Sequence, residues 1–157
     1  MEISLSKFKE SDLDLLKSWC NCIQSDRFMS RVTPDLYEMG GTVKNEIWDW
    51  YLINQNSQPV GTIWVEKSNV HPEVAKIGIL LGSKKLFGKG IGTHSILLAI
   101  KSSCKKLKFK KVQLNVRKSN GRAIGCYQKC GFSIIGEGRK INKENEEIEF
   151  YTMQHNV

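Results

Sequence analysis

The chain has 157 residues, 40% hydrophobic and 25% charged, which suits one globular domain spanning 1–157 and calls for no second one. No apolar run reaches the ~18 residues of a membrane span, and Met1-Glu2-Ile3-Ser4 lacks a basic-then-apolar leader, so a cytoplasmic protein with no membrane partner is expected. The formal net charge of +8 suits an anionic partner, but the lysine-rich stretch from Lys101 to Lys111 holds one aromatic, Phe109, which argues against a nucleic-acid stacking platform.

Ile3 to Phe8 alternates and predicts a short strand. Ser11 with Asp14 makes a capping-box-like helix start, and Leu13, Leu16 and Cys20 continue at helical spacing. Thr33-Pro34 predicts a second helix over Asp35 to Met39, ended by Gly40-Gly41. Ile47 to Ile53 and Val60 to Val65 read as a hairpin across a polar turn. Ala75 to Leu81, dense in Ile and Leu, reads as a central strand. Ser83 to Gly92 is a basic, glycine-rich loop. The helix after it runs to Leu107, with Leu97, Ile100, Cys104 and Leu107 assigned to the buried face and Lys101, Lys105 and Lys108 to the exposed one. Val112 to Val116 reads as a strand and Arg122 to Cys130 as a helix stopped by Gly131. Phe132 to Ile135 and Ile148 to Met153 close the chain as strands. The expected fold is α/β (α+β): one mixed, mostly antiparallel, twisted sheet with helices on both faces.

The five cysteines are odd in number and lack framework spacing, so reduced thiols are expected. His71, His94 and His155 are scattered, which leaves no metal-ligand set.

The chemistry concentrates where the Ile79-Leu80-Leu81 strand runs into Phe87-Gly88-Lys89-Gly90-Ile91-Gly92-Thr93 and a long helix. Alternating glycines allow positive φ and close approach of a ligand. Their N–H groups, with a helix N-terminus behind them, suit a pyrophosphate. A Walker loop would need Gly-x-x-x-x-Gly-Lys-Ser/Thr, and a dinucleotide fingerprint would need its third glycine one place later; neither fits. Downstream, Asn120, Ala123 and Tyr127 stand at offsets of zero, three and seven, one stripe of a helix. Asn120 is a good N-cap, Ala123 leaves room beside the stripe, and Tyr127 places a phenol on it.

Gly88 to Thr93 resembles the acetyl-CoA pyrophosphate loop of the GNAT superfamily of N-acetyltransferases. Asn120 to Phe132 is similar to that family's Asn-x-x-Ala-x-x-x-Tyr-x-x-x-Gly-Phe block. The match runs from about Pro59 to Ile135, and the opening, Asp12 to Trp19, is similar to the branch that acetylates ribosomal protein N-termini (RimJ/RimL-type). One departure is Phe87, where the family often has Gln or Arg.

The resemblance implies acetyl-CoA as co-substrate, no metal, and direct transfer to a primary amine in a ternary complex. Backbone N–H groups of Ile79, Leu80 or Leu81 would serve the oxyanion, and Tyr127 would protonate the departing thiolate. Glu66 and Glu73 are the candidate bases, directly or through water, and Trp19 and Asp26 fall in the region that lines the acceptor site in the family. The favoured acceptor is a protein N-terminal α-amine. The alternatives are an aminoglycoside, a polyamine or an amino sugar, or a non-catalytic acyl-CoA-binding module. A monomer or a homodimer is expected.

Overall fold

The computed structural model describes every residue except Phe28 and residues 39–46, together with the side chains of all others but Leu36 and Glu38. The expected Gly40-Gly41 helix stop therefore lies outside the described residues. In chain order the elements are β1 (Ile3–Lys7), α1 (Leu13–Ile23), α2 (Asp35–Glu38), β2 (Trp48–Gln55), β3 (Gln58–Lys67), β4 (Val74–Leu81), α3 (Ile91–Leu107), β5 (Lys111–Arg117), α4 (Gly121–Lys129), β6 (Ser133–Ile141) and β7 (Glu147–Asn156). They build a mixed sheet of order β1-β2-β3-β4-β5-β7-β6, antiparallel at every pairing but β4 with β5. Among the described residues, no helix is long and apolar enough to cross a membrane.

Alternation along β3 and β4 divides the side chains between two cores. Ile63, Val65, Ala75, Ile77 and Leu81 face α3 and α4. Trp64 and Leu80 face the opposite way, against Trp19 and Ile23 of α1 and Trp50 of β2. On that second face Phe8 stacks flat on Trp50 at 4.0 Å, and the Trp50 indole N–H donates to Thr62 Oγ1 at 2.8 Å, so a wide aromatic is buried with its polar atom satisfied.

The phase of α3 differs from expectation. Leu97 is 47% exposed, and the buried stripe is Ile91, Ser95, Ile96, Ala99, Ile100, Ser103 and Leu107. Cys104 is half-buried, while Lys101, Lys105 and Lys108 are exposed as expected. The cause is two core serines. Ser95 Oγ donates back to Ile91 O at 2.7 Å, and Ser103 Oγ shares a 2.9 Å hydrogen bond with the Tyr51 hydroxyl. Both polar groups are satisfied, so small residues fill the stripe that Leu97 was expected to occupy.

The start of α1 also moves. A 3-10 turn over Glu10–Asp12 precedes it, and the Asp12 carboxylate, not Ser11, accepts the Lys9 N–H at 2.8 Å. Strands β6 and β7 run well past their expected ends. Their added length is a polar hairpin laced by Arg139 to Glu147 at 3.2 Å and to Glu149 at 3.5 Å, a pattern without an apolar signal.

Candidate active site

Strands β4 and β5 touch only where Val74–Lys76 face Lys111–Gln113. Beyond that, β4 stays with β3 as far as Leu81, while β5 follows β7. The two strands splay, and a cavity of about 380 Å³ opens between them. Ile79, Leu80 and Leu81 form one wall, and Asn120, Ala123 and Tyr127 of α4 form another. Two separate sequence blocks thus meet across one opening.

At one end of the cavity stands the glycine loop. Gly88 and Gly90 have φ of +75° and +83°, which L side chains rarely adopt, and a Cβ on either would meet nothing within 4 Å. The backbone there borders open space. Gly90 caps α3 without a side-chain bond, and the helix's first-turn N–H groups at Ile91, Gly92 and Thr93 precede the bond from His94 N–H to Gly90 O. These unpaired donors at a helix N-terminus fit a diphosphate. The Ile91 side chain is fully buried and anchors the turn, whereas Lys89 is exposed beside it.

Arg122 escaped the sequence reading. Its guanidinium lies 3.6 Å from the centre of the Phe87 ring. Position 87 lacks the polar side chain common in the family, and a cation from α4 reaches the same corner, held by its aromatic face. Desolvation lowers the Arg122 pKa from its usual value, against the opposing pull of Tyr127 and Cys126.

Asn120 Oδ1 accepts the Ala123 N–H at 3.3 Å and caps α4, which leaves its NH₂ group as the donor it can offer the cavity. Tyr127 is half-buried, with Phe132 at 5.9 Å. Burial pushes its phenol well above 10, and negative charge on Cys126 would push it further, so the hydroxyl keeps its proton at neutral pH. Cys126 lies beside it on the cavity wall. A hydrogen bond from the Cys130 thiol, aided by Thr93, Arg122 and Lys129, holds its pKa below the usual thiol range against the cost of burial.

The two candidate bases are not brought to the cavity. Glu66 is buried, in register with Lys76, and its Oε1 accepts the Asp35 N–H at 3.0 Å at the start of α2. Glu73 stands before β4, 61% exposed and 3.4 Å from Lys110. Leu80 lies seven positions further along the strand, roughly 23 Å at about 3.3 Å per residue. Trp19 is buried with its indole against Gly82, where a Cβ would come within 2.2 Å, and Asp26 borders a smaller cleft outside the main cavity.

The charged residues on the cavity wall are Arg31, Lys76, Arg117, Arg122 and Lys140, with no carboxylate among the described residues. Arg122 belongs to the glycine-loop end. The other four were not picked out from sequence, because they come from four separate segments with no shared spacing.

Known proteins are similar to this chain in sequence and in fold. The model of the acetyltransferase (GNAT) family matches residues 15–132. An uncharacterized protein of Methanocaldococcus jannaschii is 31% identical over 156 residues, covering 94% of this chain, which spans only 30% of that protein's length. A Klebsiella pneumoniae aminoglycoside N(6')-acetyltransferase type 1 is 26% identical over 153 residues, covering 85% of this chain and 75% of its own. Among solved structures, a putative phosphinothricin N-acetyltransferase superposes with a TM-score of 0.78 at 16% identity, covering 99% and 98% of the two chains. An aminoglycoside acetyltransferase in complex with coenzyme A and kanamycin gives 0.77 at 24%, covering 99% and 95%. The family match takes in both the glycine loop and the Asn120–Tyr127 stripe that the splayed strands bring face to face: the chain belongs to the acetyltransferase (GNAT) family.

Proposed function

We propose that this protein is an acetyl-CoA-dependent N-acetyltransferase that acetylates a primary amine by direct attack within a ternary complex. One observation carries the reading: the β4–β5 splay joins a helix-backed glycine loop at one end to a protonated phenol on the facing wall. The N–H groups of the loop and of the first turn of α3 bind the diphosphate of the donor, with Arg122 and Lys89 adding positive charge. The freed edge of β4 pairs with the pantetheine amides as an added strand would. An N–H from Ile79–Leu81 stabilises the oxyanion as the amine nitrogen bonds to the acetyl carbon. As the carbon–sulfur bond breaks, Tyr127 gives its proton to the thiolate.

The amine must lose a proton before it attacks. Because Glu66 is engaged at α2 and Glu73 lies at the far end of β4, that proton passes to water in the open cavity. The similarity of the opening segment to enzymes acting on ribosomal protein N-termini supports a protein α-amine as acceptor, whereas the aminoglycoside-acetylating relative supports a small amine.

The test is a melting curve with and without acetyl-CoA, followed by thiol release with a panel of amines. At a hundredfold excess over Kd the donor should add about 2.7 kcal/mol, a rise of roughly 5–10 °C for a domain of this size. Thiol release should depend on the amine. A melting temperature unmoved by the donor would overturn the reading. Stabilisation without thiol release for any amine would leave a binding module instead.

A further inference from the structure

We propose that Arg31, Lys76, Arg117 and Lys140 form the acceptor end of the cavity and select a small primary amine that also carries an anionic group, a carboxylate, phosphonate or phosphate. The proposal rests on the acetyltransferase reading above and supplies its acceptor class.

The four cations reach one cavity from four places: Arg31 from the segment after α1, Lys76 from β4, Arg117 from the end of β5 and Lys140 from β6. Their compensation is thin. Arg31 and Lys76 share one carboxylate, Asp35, with Lys76 Nζ at 3.4 Å. Arg117 donates one guanidinium N–H to Arg27 O at 2.9 Å, and its buried Nε has no hydrogen-bond partner among the described residues. Lys140 Nζ donates to Ser30 Oγ at 2.7 Å. Arg117 also borders a smaller cleft lined by Asp26, Glu144 and Glu146, none of which lies within salt-bridge distance of it among the described residues.

Arg31, Lys76 and Lys140 keep access to solvent, while Arg117 is half-buried. Like charges gathered at one cavity repel. The repulsion is visible at Lys140, whose pKa is lowered first by desolvation and then by Arg117 and Arg31. An anion between these groups neutralises the field that Arg117 and Arg31 set up around Lys140. Guanidinium donors match a carboxylate or phosphate in geometry as well as charge. The same field opposes a polycation, so an aminoglycoside or a polyamine is disfavoured in a cavity whose wall has no described carboxylate.

The experiment compares thiol release from acetyl-CoA with three sets of amines. The first is free amino acids, aminoalkylphosphonates and phosphoethanolamine. The second is amino-acid amides and short peptide amides. The third is kanamycin and spermidine. A charge-assisted hydrogen bond is worth roughly 10- to 100-fold, so kcat/KM should be higher by about that factor for an anionic member than for its uncharged partner. Arg117→Gln and Lys140→Gln should raise KM for the anionic amine and narrow the preference, with the melting shift by acetyl-CoA retained as proof of folding. Lys140→Glu should move the preference toward spermidine, an outcome that a merely structural lysine would not give.

Equal or better use of kanamycin, spermidine or the amides by the wild type would overturn this proposal while leaving the transferase reading intact. So would stabilisation by acetyl-CoA with no turnover of any anionic amine, or glutamine variants with unchanged preference. Failure of acetyl-CoA to stabilise the wild type would instead overturn the underlying reading.

Discussion

Replacing Tyr127 by Phe separates the phenol's chemistry from its packing. The ring keeps its contact with Phe132, 5.9 Å away between centroids, and the hydroxyl has no protein hydrogen-bond partner among the described residues. Removing that oxygen leaves no orphaned protein group, so the stability change should stay under about 1 kcal/mol, or roughly 3 °C. Loss of a general acid costs about 10²–10⁴-fold in rate, or roughly 2.7–5.5 kcal/mol at the transition state. Turnover should therefore fall far more than stability does. The assay is steady-state thiol release at saturating acetyl-CoA, with melting curves of both proteins. The pH profile adds a second check. Burial raises the phenol above its usual value of 10, so the acid form persists at every pH below that. Wild-type turnover should rise as the amine deprotonates and show no falling limb below about pH 10. An unchanged kcat in a folded Tyr127→Phe variant, or a falling limb near pH 8, would remove Tyr127 from the mechanism.

Two further perturbations test the loop and the helix. Gly90→Val places a branched residue at φ +83°, where a left-handed conformation costs about 1–2 kcal/mol, yet its Cβ meets nothing within 4 Å; melting curves should show that modest loss together with disappearance of the acetyl-CoA shift. Ile96→Ala, at a fully buried position, should cost about 2–5 kcal/mol, whereas Leu97→Ala, 47% exposed, should stay within about 0.5 kcal/mol; denaturant titration that reversed the order would contradict the phase of α3.

The order of strands and helices was legible because hydrophobic period and glycine punctuation act locally. The glycine loop and the Asn120–Tyr127 stripe were legible for the same reason, each being written in consecutive residues. Leu97 misled because a leucine at helical spacing outweighs a serine in any hydrophobic count, while Ser95 and Ser103 are buried through bonds to a helix carbonyl and to Tyr51, a partner 52 residues away. The fate of Glu66 was hidden too, since its partner lies 31 residues off, at the start of α2. Arg122 looked like an ordinary helix-surface cation until Phe87 came beneath it. Least visible were Arg31, Lys76, Arg117 and Lys140, whose common location exists only after four segments have packed.

The narrow junction between β4 and β5 has a mechanical side. A sheet is stiff across its strands wherever the hydrogen-bond ladder is continuous, and here three facing pairs, Val74 to Lys76 with Lys111 to Gln113, join the leaf β1–β4 to the leaf β5–β7. The leaves share a ladder only at one corner, while beneath α3 one continuous core joins Ile63, Val65 and Ile77 of the first leaf to Val112, Leu114 and Met153 of the second. If the proposed donor lies between the two strands, its amides would stand where the ladder's rungs are missing, and binding would stiffen the sheet across that gap.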